Sequence, residues 1–205
     1  MEYPDRHETS PEPPRPVEER DAAGVVRRRY VLGGGVLQGV METFDVDGLP
    51  ETRMSFCEGQ LHGPALIFQS GRAAVEMTYD DGRLQGPVRS FDAAGRITAI
   101  TGFVNGKRSG ETLIFRPEGT LFRRENWLDD QLHGIVEEYH PDGSLMRRSS
   151  YVAGILHGEV ETFGEQGEGP ERVLFDKGLA QGPVEALAGP APKPGLRQRL
   201  FGWKG

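Results

Sequence analysis

Residues 151–163 read YVAGILHGEVETF, and residues 127–139, 24 positions earlier, read WLDDQLHGIVEEY. Each stretch runs from an aromatic residue through a turn-like pair and Leu-His-Gly to a second aromatic residue. A fixed offset of this kind indicates a structural repeat, and two short strand-like runs around a turn favour a β-hairpin. The histidines therefore have two possible roles, one in a metal or catalytic site and one within the repeat.

The pattern recurs seven times at a spacing of 23–24 residues between residues 30 and 188. In each copy a glycine is followed four positions later by a second glycine, with Asp130 in place of one first glycine. An aromatic residue stands three positions before the first glycine, and another stands five positions after the second. Leu32 and Leu187 replace an aromatic residue in the end copies. The positions predicted to carry the repeat are Phe56, Gly59, Gly63, Phe68, Tyr79, Gly82, Gly86, Phe91, Phe103, Gly106, Gly110, Phe115, Trp127, Gly134, Tyr139, Tyr151, Gly154, Gly158, Phe163, Phe175, Gly178 and Gly182.

Turn signals divide each copy into two strands. Asp81-Gly82 and Asn105-Gly106 are typical of tight two-residue hairpin turns, in which both residues need positive φ. The sequences PEG at 117–119 and PDG at 141–143 predict a second turn that returns the chain to the next copy. The sequence therefore predicts an all-β fold, an elongated single antiparallel β-meander of about 14 short strands in seven hairpin repeats.

The two aromatic positions predict how the sheet is stabilised. If Asn105-Gly106 is a two-residue turn, Phe103 pairs with Arg108, and Gly110 lies diagonal to Phe103 on the same face. A ring can then lie across the bare backbone of the glycine, and a ladder of such rings would supply the core. Phe115 falls on the opposite face by strict alternation, unless a bulge at Gly110 switches the parity. Both arrangements remain open.

Two segments flank the repeats, and each has its own composition. Residues 1–29 are rich in proline and mixed in charge, which predicts a disordered arm. Residues 189–195, GPAPKPG, indicate a stiff spacer, and LRQRLFGWKG follows at 196–205. This basic, aromatic tail would dock on a partner, rest on an anionic membrane surface, or fold back over the open edge of the last repeat. Its predicted contact residues are Arg197, Arg199, Leu200, Phe201 and Trp203.

Charge and composition narrow the class of partner and the compartment. Residues 30–188 hold 24 acidic and 14 basic residues, a net charge of −10, whereas residues 189–205 carry +4. An acidic array disfavours nucleic acid and attracts a basic protein. The N-terminus shows no secretion signal pattern, and the chain has a single cysteine and no apolar run long enough to span a membrane. The sequence therefore predicts a cytoplasmic protein.

The candidate chemical residues favour a role without catalysis. The position before the second glycine holds histidine in three of seven copies, His62, His133 and His157, and Gln or Ser in the others. Copies in neighbouring repeats lie two strands apart, about 10 Å, which is too far for ligands of one zinc ion. Cys57 lacks a neighbouring pattern that would activate it. We expect no catalytic residues, cofactor or metal, and the flanking segments are too short for a catalytic domain.

The aromatic, first glycine, second glycine and aromatic pattern, as in FVNGKRSGETLIF and YVAGILHGEVETF, resembles the MORN repeat. It is most similar to the bacterial variant of YwqK-type antitoxin and immunity proteins. The resemblance implies a protein-binding partner of a basic toxin or effector, which we expect to use exposed strand acids such as Glu137, Glu138, Glu159 and Glu161. The alternatives are a cytosolic scaffold with membrane contact through the basic tail, and a structural repeat protein with no dedicated partner.

Overall fold

The computed structural model describes residues 13–164 and 169–184. Within these residues the protein is all-β, with nineteen strands that pair antiparallel along the chain and no helix. The prediction of an antiparallel meander of hairpins is confirmed. The chain forms two compact units: one extends to Ile97 and includes Gly102–Lys107, and the other comprises Thr98–Thr101 and the chain from Arg108 onward.

The first unit contains nine consecutive strands. Consecutive strands are joined by tight turns and by wider return turns, except that the return turn at Ser70-Gly71 also has only two residues and that Gln38 and Gln85 each interrupt a strand. The strands are β1 (Arg15–Arg20), β2 (Val26–Gly33), β3 (Val36–Leu37), β4 (Gly39–Phe44), β5 (Pro50–Cys57), β6 (Gln60–Gln69), β7 (Arg72–Asp80), β8 (Arg83–Leu84) and β9 (Gly86–Phe91).

The second unit continues the same pattern. The residues of β10 (Ile97–Val104) are divided between the two units, and so are those of β11 (Lys107–Phe115). The strands that follow are β12 (Leu121–Leu128), β13 (Gln131–Leu132), β14 (Gly134–Tyr139), β15 (Leu145–Val152), β16 (Ile155–Leu156), β17 (Gly158–Thr162), β18 (Glu171–Asp176) and β19 (Leu179–Pro183).

The tight turns are the two-residue hairpins that the sequence predicts. Asp81 and Gly82 have φ of 44° and 75°, and Tyr79 lies opposite Leu84. Asp129 and Asp130 have φ of 48° and 67°, so the copy that lacks the first glycine forms the same turn. Positive φ at both central residues matches the twist of the flanking strands, which is why this turn type recurs.

A bulge after each tight turn explains the second glycine. Gly134 has φ of 97°, and the strand breaks there between β13 and β14. The pairing moves from Trp127 opposite Leu132 to Arg124 opposite Glu137, so the returning strand contains two extra residues. The glycine lies opposite the ring of the next copy, Tyr151, rather than diagonal to the ring of its own copy as we predicted. Its backbone conformation, which disfavours any side chain with a Cβ, therefore selects it.

The parity question is settled in the second unit. Two extra residues leave strand alternation unchanged, so Glu138 shares a face with Trp127. Tyr139 lies on the other face, where its hydroxyl donates to Oε2 of Glu137 at 2.6 Å. The two rings of a copy therefore lie on opposite faces of the strand pairs.

Small and medium side chains, rather than the rings, form most of the core. The rings three residues before each tight turn are only half-buried, from Phe56 to Phe175, because each lies near a strand end in a single layer. The buried positions lie two residues further from the turn and pair across strands, as Val136 pairs with Ser149 and Thr112 with Glu125. The prediction of a ring-based core is therefore wrong except at Phe163, which is buried.

Residues 13–29 belong to the fold, so the predicted disordered arm through residue 29 is wrong for these residues. β1 pairs antiparallel with β2, with Val17 opposite Tyr30. Asp21 Oδ1 accepts the amide hydrogens of Ala23 and Val25 at 2.9 and 3.0 Å and closes a return turn between the two strands. Residues 1–12 lie outside the described residues, as do Leu187 and the whole tail.

Candidate partner-binding face

In three copies the polar residue before the second glycine contacts the neighbouring hairpin. Gln85 Oε1 accepts the amide hydrogen of Asn105 at 3.0 Å, and His157 Nδ1 lies 3.3 Å from Asp176. His62 Nδ1 lies 3.5 Å from the carboxylates of both Asp80 and Asp81. These contacts fit the interpretation of this position as a polar support for the next tight turn.

Backbone bonds run beside these side-chain contacts. The first glycine of a copy donates its amide hydrogen to a carbonyl in the preceding hairpin, as Gly82 does to Leu61 and Gly154 to Leu132, each at 2.8 Å. In the copy without that glycine, Asp130 donates to Arg108 at 3.1 Å. Neighbouring hairpin ends within a unit are therefore tied together by a bond that does not depend on the side chain at the turn.

His62, Asp80 and Asp81 form the one group of three metal-type ligands within the described part of the chain. All three are exposed. The equivalent histidine of the sixth copy, His157, faces Asp176 but has Lys177 where the second carboxylate would be. The contacts at His62 are accounted for by support of the turn, and the prediction that the protein binds no metal remains a prediction.

A ladder of alternating charges crosses the second unit. The residues are directly opposite one another on successive strands in the order Arg124, Glu137, Arg148, Glu161 and Arg172. Their ion pairs measure 3.4, 3.1, 3.3 and 2.9 Å along this order. We call the face that carries them the ladder face. Opposite charges directly across a sheet stabilise the pairing of the strands.

This ladder corrects the predicted binding acids. The side chains of Glu137 and Glu161 are only 15% and 13% exposed and are bound by arginines on both sides. Glu138 pairs with Arg123 at 2.7 Å on the other face. These three acids are therefore engaged in holding the strands together, and only Glu159 of the predicted set is exposed.

The sequence analysis missed the ladder because its members come from different copies. Within one copy, Glu137 and Arg148 are 11 residues apart and form no recognisable motif. The signal is the alternation of Arg and Glu at positions 124, 137, 148, 161 and 172, at spacings of 13 and 11 residues that together equal the repeat. The first unit carries a shorter version, in which Glu42 pairs with Arg29 at 3.4 Å and with Arg53 at 2.7 Å.

Tyr139 lies at the border of the ladder and responds to it. Partial burial and the hydrogen bond to the Glu137 carboxylate, together with the negative charge of that carboxylate, raise the pKa of Tyr139 to about 12. All three effects disfavour the phenolate. Tyr139 is therefore a neutral hydrogen-bond donor that fixes the orientation of Glu137 within the ladder.

On the opposite face, Trp127 is the centre of a second polar cluster. The Arg108 guanidinium stacks on its ring at 3.6 Å from the centroid, and the indole nitrogen donates to Oε2 of Glu125 at 3.0 Å. Arg123 Nε lies 2.7 Å from the other oxygen of Glu125, which is buried. The carboxylate thus has partners for both oxygens, and the cluster packs the strands rather than presenting a free reactive group.

Beyond the ladder, towards the tight turns, the ladder face carries exposed apolar side chains together with some polar ones. Val152 lies opposite Ile155, Leu174 opposite Glu159, and Leu179 opposite Asp176. Strand alternation places these side chains on the ladder face. Val152 and Leu174 are an even number of residues from the ladder position on their own strand. Ile155 and Leu179 lie opposite residues for which the same holds. Six large apolar side chains there are 40% to 71% exposed, and we call them the apolar patch: Leu128, Ile135, Val152, Ile155, Leu174 and Leu179.

Other candidate features are weaker. In the first unit, a shallow depression of about 320 Å³ lies near Arg72 and Asp92, whose side chains bond the carbonyl of Ala93 and the guanidinium of Arg96. Cys57 is exposed on a strand. The tail residues predicted to contact a partner or membrane lie outside the described residues. No helix in the described part of the chain is long and apolar enough to cross a membrane.

No family model matches the chain, and no curated protein matches it. Among solved structures, it is similar to a Staphylococcus aureus TarM mutant crystallised with fondaparinux, α-GlcNAc-glycerol and UDP. The identity is 8%, and the TM-score is 0.28 over 69% of this chain. The chain spans only 21% of that protein. A likeness at this level supports no conclusion about fold or function.

Proposed function

We propose that the protein is a non-catalytic, cytoplasmic protein-binding module, similar in its repeats to MORN and YwqK-type proteins, that acts as an antitoxin or immunity partner. It covers a basic protein effector and blocks it by occupancy. The observation that carries the proposal is the apolar patch on the ladder face. Exposed apolar side chains that are grouped on one face are typical of partner-binding surfaces, whereas singly scattered ones are ordinary.

The contrast between copies supports a specific use of this surface. The two positions that flank each tight turn on the ladder face are Val152 and Ile155 in one copy of the second unit. The corresponding pair in a copy of the first unit is Asp80 and Arg83, which are opposite each other and charged. The fold therefore tolerates polar residues at these positions, and the apolar side chains of the second unit are not required to form the hairpin.

Charges around the patch indicate the chemistry of the partner. Glu111, Glu159 and Asp176 are exposed and lie on the ladder face by strand alternation. Such acids beside exposed apolar side chains speed association with a basic partner and select against an acidic one. The expected partner presents an apolar anchor flanked by lysine or arginine.

The test uses the protein encoded by the gene adjacent to this one as the probe. The two proteins are co-expressed, and their affinity is measured by titration calorimetry with the full chain and with Val152→Asp. A charge inside the patch should weaken binding at least about tenfold, equivalent to about 1.4 kcal/mol. Val46→Asp is the matched control, because Val46 is an exposed valine outside the patch.

Separate outcomes test the two parts of the proposal. If the adjacent gene product does not bind the full chain, or if co-expression does not relieve its inhibition of growth, the antitoxin assignment is wrong. If it binds equally well to Val152→Asp and Val46→Asp, the patch is not the interface. Equal thermal melting of the three proteins establishes that the substitutions leave the fold intact.

A further inference from the structure

The apolar patch lies where the described chain ends. Leu174 and Leu179 belong to the last two strands, and Val184, the last described residue, donates its amide hydrogen to Arg172 at 2.9 Å. Residues 185–205 lie outside the described residues and start from this edge of the second unit. The ladder face around Leu179 is therefore one of the surfaces within their reach.

The length of this segment suffices to cross the patch. Twelve residues separate Val184 from Leu196, and an extended chain of that length spans up to about 40 Å. The patch extends from Leu128 on β12 to Leu179 on β19, five strand spacings at about 4.8 Å each, or about 24 Å. A tail leaving β19 can therefore place its apolar residues over any part of the patch.

The composition of the tail complements the patch in both apolar character and charge. Leu196, Leu200, Phe201 and Trp203 offer apolar side chains within eight residues. Residues 189–205 carry four basic residues and no acid, whereas the patch is bordered by the exposed acids of the ladder face. Burial of a large apolar side chain contributes about 1.5–3 kcal/mol, and the intramolecular link removes most of the cost of association.

We propose that residues 196–203 dock on the apolar patch of the same chain and cover it in the isolated protein. The contact makes the tail a competitor of any protein that binds the patch. That regulatory consequence rests on the proposed function. The docking itself involves only this chain and is tested without a partner, so either proposal can fail while the other stands.

Trp203 provides the readout, because the chain has only two tryptophans and the other is Trp127. In the full chain carrying Trp127→Phe, all indole fluorescence comes from the tail. The quenching constant for acrylamide is compared with that of N-acetyltryptophanamide. Docking predicts a lower constant than for the free amide, and a rise to the free value when Leu179→Ser is added.

The matched control is Val46→Ser in the same background, since Val46 and Leu179 are both 71% exposed and only Leu179 belongs to the patch. It should leave the quenching constant unchanged. If Trp127→Phe perturbs folding, the indole N–H resonance of Trp203 is followed by NMR in the otherwise unmodified chain. Leu179→Ser should shift that resonance to its position in a tail peptide, and Val46→Ser should not.

Three results would overturn the proposal. The first is a quenching constant for Trp203 equal to that of the free amide in the parent protein. The second is protection that persists unchanged in Leu179→Ser, which would place the tail on another surface such as the open edge of β19. The third is an accessible Trp203 that becomes protected only when vesicles of anionic phospholipid are added, which would assign the tail to a membrane surface.

Discussion

The neutral substitution Glu137→Gln tests the charge ladder at its most connected position. The Glu137 carboxylate lies 3.1 Å from Arg148 and 3.4 Å from Arg124, and it accepts the hydroxyl hydrogen of Tyr139 at 2.6 Å. Gln has nearly the same shape and can still accept one hydrogen bond. The substitution therefore removes the charge while leaving packing almost unchanged.

The expected loss of stability follows from the three contacts. A hydrogen bond to a charged group contributes about 1.5–3 kcal/mol, of which a neutral acceptor retains roughly half. The two arginines are each more than one-third exposed, so each pair contributes only about 0.5 kcal/mol. Arg148 keeps its second partner, Glu161. We expect Glu137→Gln to lower the free energy of unfolding by about 1.5–2 kcal/mol.

Urea unfolding measures this loss. Glu159→Gln is the control, because Glu159 is exposed on the same face and its substitution should change the free energy of unfolding by less than about 0.5 kcal/mol.

The ionisation of Tyr139 gives a second readout. Its pKa in the folded protein, about 12, lies above the ordinary value of 10.0, so its contribution to stability is present below pH 10 and is lost as the pH rises towards 12. Glu137→Gln should lower the pH at which Tyr139 ionises. Equal stabilities of the two variants and an unchanged titration of Tyr139 would refute the ladder as a stabilising element.

Three further predictions concern the backbone and the core. Gly134→Ala places a Cβ at φ of 97° and should cost about 1–2 kcal/mol in urea unfolding, whereas Gly169→Ala, in open space without positive φ, should cost less than about 0.5. Phe163→Ala should cost about 3 kcal/mol by the same assay, because the ring is buried; a cost below about 1 would contradict that burial. The backbone amide of Arg96 lowers the pKa of Asp92, so the stabilisation by this carboxylate is present above its ordinary pKa and lost as the pH falls through the folded value. Asp92→Asn should thus be less stable than the parent near neutral pH and equal to it in acid, and a difference independent of pH would contradict this reasoning.

The hairpins could be predicted from the sequence because their signals are local. Asp81-Gly82 and Asn105-Gly106 specify a turn that needs positive φ, and the structure places both pairs there. The 23–24-residue spacing then fixes the order of strands, since a chain with alternating tight and return turns can only form a meander. Local backbone chemistry and period together were sufficient for the fold class.

The register after each tight turn was harder to predict. The sequence shows that a second glycine recurs. A glycine that is covered by a ring and a glycine that lies in a bulge give the same sequence pattern. Only the shift from Trp127 opposite Leu132 to Arg124 opposite Glu137 distinguishes the two. Gly134 is therefore needed for the backbone conformation of the bulge. The ring of Tyr151 lies opposite it as a result of the new register.

The N-terminal error has a signal that was present in the sequence. Asp-Ala-Ala-Gly occurs at residues 21–24 and again at residues 92–95, and the carboxylates of Asp21 and Asp92 accept the same pair of turn amides, two and four residues on. The return turn of the repeat therefore occurs one period further back, with Gly24 as its glycine. The prediction of disorder used the proline and charge content averaged over the first 29 residues. An average of this kind does not show the local turn signal at residues 21–24.

The candidate site and the fold are encoded by different residues. The glycines recur in almost every copy because they set the backbone, and the rings recur at the same positions, so neither set can distinguish one surface of the array from another. The apolar patch and the ladder are built from positions that vary between copies, such as Val152 and Ile155 where another copy has Asp80 and Arg83. The ladder stabilises strand pairing, but the polar residues that other copies carry at patch positions show that folding does not require apolar side chains there. Six exposed apolar side chains on one face therefore require another cause, and this is the physical reason to look for the partner, or for the tail, on the ladder face.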